Sequence, residues 1–319
     1  MNFDMARFDS RNEVSRLEDI AEQHVVIWNG VPIVWRKFGM GPPLVLIHGG
    51  FGSWLHWVRN IELLSWKHTV WVPDLPSMGD SGTIEESDDA MTAIQNIVAA
   101  LTDSLGQLIN RDTAIDIAGF SFGGVVATLF AKQWSNVKRL ALVGTGGHGQ
   151  GRRQTKAMMS WREIEGNEEQ QAALRHNLLS LMFRHRESLD SMAVEIYEEQ
   201  CRKCRFRGRF SRANMLQKML ESFAKPVLFL WGDCDVTVED PCKTATWLSQ
   251  GKNEREWRVI PGGHWIQYED ADTVTQLMLR WFNTCTTRGR RMTHGDRFAP
   301  YQRPSWFHGR DALALSELS

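Results

Sequence analysis

The spacing of hydrophobic and polar positions changes period several times along the chain. The changes predict strands alternating with helices. Residues 24–38 (HVVIWNGVPIVWRKF) hold two β-rich runs around Asn29-Gly30, a pair suited to the left-handed backbone of a hairpin turn. Residues 44–48 (LVLIH) form a short apolar run between Gly-Pro-Pro and Gly49-Gly50, as a buried parallel strand requires. Further strands are predicted at 69–75, 114–120, 138–143, 226–231 and 256–260. Helical spacing is read at 88–109, 122–134 and 268–282. Strand–helix alternation of this kind predicts a mostly parallel, doubly wound sheet. Between 149 and 224 the chain shows helical periodicity and many charges but no strand, which predicts an inserted helical cap.

These readings divide the chain into an N-terminal arm (1–23), an α/β core (24–148 and 225–284), a cap (149–224) and a tail (285–319). The arm is polar and carries both signs of charge. It has no apolar run of leader length, so a cytoplasmic location is expected. No window approaches the roughly 18–20 apolar residues of a membrane helix. The tail has six Arg, no Lys and two Pro, and is expected to be flexible and basic.

Composition changes the picture little. The net charge of -1 over 319 residues gives no basic field for nucleic acid. Fourteen Trp predict a large aromatic core or pocket. Five Cys at irregular spacing suggest no disulfide framework. Cys201 and Cys204 form C-x-x-C, but no second pair completes a metal site, so no metal is expected.

The chemistry gathers where strands end. Residues 119–123 read G-F-S-F-G, which puts Ser121 on a tight bend between a strand and a helix. A hydroxyl needs a base, and the base an orienting acid. WGDCD (231–235) and PGGHW (261–265) follow the last two predicted strands, in the chain order Ser, Asp, His. Ser121, Asp235 and His264 are the candidate catalytic residues, with Asp233 the weaker, turn-forming alternative. The oxyanion donors are expected from the backbone of Phe122 and of the loop after 44–48, with Gly50 first and Phe51 next. His48 is read as a brace for that loop. Residues 144–149 (GTGGHG) also match a dinucleotide-binding glycine pattern, with Glu163 and Glu165 downstream. No βαβ unit continues from them, so no cofactor is expected.

The sequence resembles the α/β-hydrolase superfamily through HGG (48–50), DLPSMGDSG (74–82), GFSFGG (119–124), WGDCD and GGHWIQYE (262–269). The resemblance implies the α/β-hydrolase fold with a cap after the sixth strand. It also implies a cofactor-independent serine hydrolase acting on a small molecule. Dehalogenases and epoxide hydrolases of this fold carry Asp where this chain has Ser121. GHWIQYE is similar to the carbon–carbon hydrolases of ring-fission products, which carry Asn where this chain has Phe120 and use a cap Arg for a substrate carboxylate. Arg205, Arg207 and Arg209 are candidates for that Arg. Phe51, Trp54, Phe120 and Trp265, with Trp57 near them, are candidates for the substrate pocket. Phe120 directs the expectation to a small or medium apolar or aromatic carboxylic ester. A ring-fission diketone is the same-chemistry alternative, and a non-catalytic ligand receptor is the other. Monomer and homodimer stay equally open.

Overall fold

The computed structural model describes residues 10–85, 87–153, 156–207 and 214–283. Arg209, the tail 285–319 and the first nine residues of the arm lie outside the described residues. The strands are β1 (Glu22–Trp28), β2 (Val31–Phe38), β3 (Pro43–Ile47), β4 (Thr69–Pro73), β5 (Ile115–Phe120), β6 (Val137–Val143), β7 (Val227–Gly232) and β8 (Arg255–Ile260). They form one sheet in the order β1-β2-β4-β3-β5-β6-β7-β8. β1, β2 and β4 pair antiparallel, and β4 through β8 pair parallel across β3, β5, β6 and β7.

Side chains on successive strand residues enter opposite layers. Val45, Ile47, Ile115, Ile117, Leu140 and Leu142 pack under α3 (Ala90–Leu108) and α4 (Phe122–Gln133). Leu44, Leu46, Ala118, Phe120, Ala141 and Val143 pack under α2 (Val58–Ser65) and α10 (Ala271–Asn283). The central strands are therefore apolar on both faces, which is why they read as continuous hydrophobic runs.

The N-terminal arm contains a helix, α1 (Ser10–Ile20), and its Leu17 is sealed in the second layer. Between β6 and β7 the described residues hold α5 (Asn167–Leu181), α6 (Ser191–Lys203) and α7 (Leu216–Glu221), with two short 3-10 turns. α5 and α6 bury Leu174, Leu178 and Ile196 with the α2 layer, whereas α7 buries Leu216 and Leu220 with the α4 layer. The described residues, up to Asn283, belong to one compact unit. The large Trp content goes mainly to packing: Trp35, Trp57, Trp231 and Trp265 are buried.

Elements that differ from the sequence reading include α2, for which no helical spacing is read, and two near the C-terminal strands. The single helix expected over 268–282 is α9 (Ile266–Glu269) followed by α10. Asp270 breaks it, because its carboxylate accepts the Thr273 N–H and caps the second helix. α8 (Pro241–Ser249) is capped by Asp240 and has Pro at its first position, a start signal that its weak periodicity obscured. Among the described residues no helix is long and apolar enough to cross a membrane.

Candidate active site

The candidate nucleophile sits at a strained bend. Ser121 has φ +53° between β5 and α4, in a region L-residues avoid. The bend is held by hydrogen bonds from the Ser121 N–H to Val143 O and from the Gly124 and Gly146 N–H groups to Ser121 O. Its two flanking glycines are there because neighbours come too close for a side chain. A Cβ on Gly119 would lie 2.4 Å from Gly123 O, and one on Gly123 would lie 2.2 Å from His48 O. The bend presents Oγ to His264, whose Nε2 is 3.0 Å away.

His264 Nδ1 lies 2.8 Å from Asp235 Oδ2. The other carboxylate oxygen, Oδ1, accepts the Thr237 N–H at 2.8 Å and the Thr237 hydroxyl at 2.7 Å. Burial raises the Asp235 pKa, but His264 and the Thr237 donors outweigh it and hold the carboxyl below its usual range. Asp233 has a different place. It pairs with Arg184 and accepts the Gly262 N–H, and so fixes the turns around the site. Glu269, which the sequence reading quoted without a role, accepts the N–H groups of Gly263, Arg184 and His185. It ties the turn carrying His264 to the segment after α5. Its only sequence signal is its place at the end of GGHWIQYE.

The Gly49-Gly50 turn lies against the elbow. A Cβ on Gly49 would be 3.2 Å from Ser121 Cβ, and one on Gly50 would be 3.5 Å from Phe122 Cβ. His48 braces this turn, as expected. Its Nε2 accepts the Leu75 N–H at 2.8 Å, so the ring proton is on Nδ1, 2.7 Å from Gly49 O. His56, a residue the sequence reading missed, accepts the Gly49 N–H on Nδ1 at 3.1 Å. The Gly49 amide is thereby taken, and Gly50 and Phe51 remain the candidate donors of this loop, opposite Phe122 at the start of α4. The amides at that helix start favour developing negative charge.

A cavity of about 440 Å³ opens beside this turn. Gly50, Phe51 and His56 form its sheet side, and Met158, Trp161, Met182 and Tyr197 are among its walls from the β6–β7 insertion. Of Phe51, Trp54, Phe120, Trp265, Arg205 and Arg207, Phe51 lines this cavity and the other five do not. Trp54 stacks on Phe38 beneath the Arg36 guanidinium. Phe120 and Trp265 are buried behind the site, with ring centroids 5.1 and 5.2 Å from His56. The Arg205 guanidinium bonds Thr83 Oγ1 and the carbonyls of Gly79, Ser81 and Lys203, which ties the insertion to the 77–83 loop. Arg207 is likewise absent from the cavity wall, where the described arginine is Arg162. The glycine-rich segment 144–149 leads into no helix, and Gly144 packs beside His264 and Asp235.

The buried histidines carry a pH consequence. Burial is the leading cause that lowers the pKa of His48, His56 and His148, the last to about 4. Below the ordinary value of 6.5 the unfolded chain binds protons that the folded chain refuses. Their contribution to stability is therefore complete above 6.5 and declines as pH falls below it, for His148 down to about 4. Each steepens the loss by up to about 1.4 kcal/mol per pH unit. Urea midpoints between about pH 7.5 and 4.5 measure this. Replacing His148 with Phe is expected to flatten the profile.

A profile described as the alpha/beta hydrolase family matches residues 44–277, and the chain belongs to that family. It is a hydrolase by that membership. It is 25% identical over 265 residues to a 2-hydroxy-6-oxononadienedioate/2-hydroxy-6-oxononatrienedioate hydrolase of Klebsiella pneumoniae, covering 75% of this chain and 86% of that one. It is 34% identical over 108 residues to a soluble epoxide hydrolase of Corynebacterium, and that match spans about a third of the relative, 36% of its length. Among solved structures, an esterase from Rhodococcus superposes with TM-score 0.64 at 22% identity, over 83% of this chain and 99% of that one. A meta-cleavage product hydrolase superposes with TM-score 0.65 at 21% identity, over 82% and 97%.

Proposed function

We propose that the protein cleaves a small or medium carboxylic ester with an apolar or aromatic acyl part, through an acyl-enzyme on Ser121. Ser121 Oγ attacks the carbonyl carbon while His264 Nε2 takes the hydroxyl proton. Asp235 holds the imidazole tautomer and stabilises its positive charge. The Gly50 and Phe122 N–H groups stabilise the oxyanion. The C–O bond to the alcohol breaks, and His264 passes its proton to the leaving oxygen. Water then attacks the acyl-enzyme as His264 takes its proton. Ser121 regains a proton and the carboxylic acid leaves. These steps need no metal or cofactor.

The observation that carries the reading is the unbroken chain of contacts from Ser121 through His264 to Asp235, beside a mostly apolar cavity. The volume of about 440 Å³ falls within the roughly 300–1,000 Å³ of small-molecule sites. Carbon–carbon cleavage of a ring-fission diketone is the second reading, favoured by the likeness to the Klebsiella hydrolase. Against it stands Phe120, whose buried ring packs on His264 with centroids 5.0 Å apart and offers no polar contact. Initial rates on 4-nitrophenyl esters from acetyl to dodecanoyl, measured beside a 2-hydroxy-6-oxodienoate, decide between them. Turnover that peaks at a medium acyl length and exceeds the dienoate rate supports the ester reading. A dienoate rate far above every ester reverses it.

A further inference from the structure

The cavity's sheet side offers one side-chain donor. His56 lines the cavity beside Gly50 and Phe51. Its Nδ1 accepts the Gly49 N–H at 3.1 Å, so that nitrogen is the unprotonated one and the ring proton is on Nε2. The ring is fixed by edge-on contacts with Phe120 and Trp265, and Trp265 Nε1 donates to His56 O at 2.9 Å. Among the described residues no acceptor pairs with Nε2, and Nε2 is not one of the polar atoms sealed from solvent. Its accessible edge is therefore the one facing the cavity. The wall around it is largely Met158, Met159, Trp161, Leu181 and Met182. Of the polar side chains in the lining, Asn177 is engaged on both atoms by the Met159 backbone, Arg162 donates to Cys201 O and the Tyr197 hydroxyl bonds the Cys201 thiol, while Ser160 and Glu163 complete the rim.

We propose that His56 is a specificity-determining residue. Its Nε2–H donates to an acceptor oxygen carried by the acyl part of the substrate, a keto or ether oxygen beyond the ester carbonyl. The inference rests on the ester-cleavage reading above. An alkyl group of the same shape would leave this donor unpaired in an apolar wall, so sites of this kind discriminate against the analogue lacking the oxygen. Neutrality suits the role: burial, with His48 and His264 nearby, pushes the His56 pKa well down, so the donor persists through the neutral range. The preferred substrate class is thus an oxo- or alkoxy-acyl ester rather than a plain alkyl one.

The test compares 4-nitrophenyl 4-oxopentanoate and 5-oxohexanoate with their shape-matched 4-methylpentanoate and 5-methylhexanoate partners. Each rate is divided by the uncatalysed hydroxide rate. The wild type is expected to favour the oxo esters about tenfold in kcat/KM. His56→Asn places its amide oxygen near the Nδ1 position and keeps an acceptor for Gly49, but has no donor at the Nε2 position. Its preference is expected to collapse toward one. His56→Gln places its amide nitrogen near Nε2 and is expected to retain the preference while losing rate on both esters, because the Gly49 brace is gone. A wild-type ratio near one, or an unchanged ratio in His56→Asn, overturns the assignment. No turnover of any of the four esters by the wild type overturns the ester reading itself, and the His56 assignment with it.

Discussion

Ser121→Ala is expected to lower kcat/KM on the best ester by at least about 10⁴-fold, with no loss of fold. The substitution removes one oxygen, and alanine keeps the Cβ that serine already carries at φ +53°, so the elbow gains no new strain. His264→Ala is expected to cost about as much, since without a base the hydroxyl is a weak nucleophile. Asp235→Asn is expected to cost about 10⁴-fold, because an amide opposite Nδ1 favours the wrong imidazole tautomer. The losses do not multiply. Ser121→Ala/His264→Ala is expected to retain the same residual rate as either single variant, because the residues act as one unit. Initial rates, with thermal unfolding as the folding control, measure all four. Multiplying losses would mean that the contact of 3.0 Å between Oγ and Nε2 has no part in the reaction.

The second large effect is on stability. Asp74→Ala is expected to cost about 3–5 kcal/mol, read from the urea midpoint. Asp74 is sealed from solvent and accepts three donors: the Arg36 guanidinium at 3.0 Å, the Asp80 N–H at 3.0 Å and the Trp54 N–H at 2.8 Å. Removing the carboxylate strands a buried guanidinium and two amides. Arg36 also meets Asp80, so part of its charge stays compensated. Arg36→Met/Asp74→Ala is therefore expected to be less destabilised than the two single losses summed. The effect should extend to activity. Asp74 precedes Leu75, whose N–H holds His48, and its other partner Trp54 begins the turn that carries His56.

The legible parts of this molecule are those where chemistry forces a residue type. The bend at Ser121 admits only glycine at 119 and 123, so the elbow is visible as a string. The central strands are buried on both sides and therefore appear as apolar runs. Asp235 and Asp233 differ by their neighbours in space: Asp235 meets His264 and Asp233 meets Arg184. Positions that act through geometry alone are illegible. His56 and Glu269 look like ordinary polar residues until the fold brings Gly49 and Gly263 to them. The arginines of the insertion between β6 and β7 mislead for the same reason. A basic run announces charge, but not that Arg205 will be bound to the 77–83 loop while Arg162 faces the cavity. Phe120 and Trp265 mislead in another way, because an aromatic residue next to a candidate catalytic one can support it from behind as readily as face a substrate.

The central claim is that Ser121 is an activated nucleophile. The purified protein should be treated with a fluorophosphonate probe and the adduct located by peptide mass spectrometry, with Ser121→Ala alongside. The account predicts one modified residue, Ser121, and no labelling in the variant. A folded wild-type protein that stays unlabelled, or one labelled equally in the variant, would contradict it.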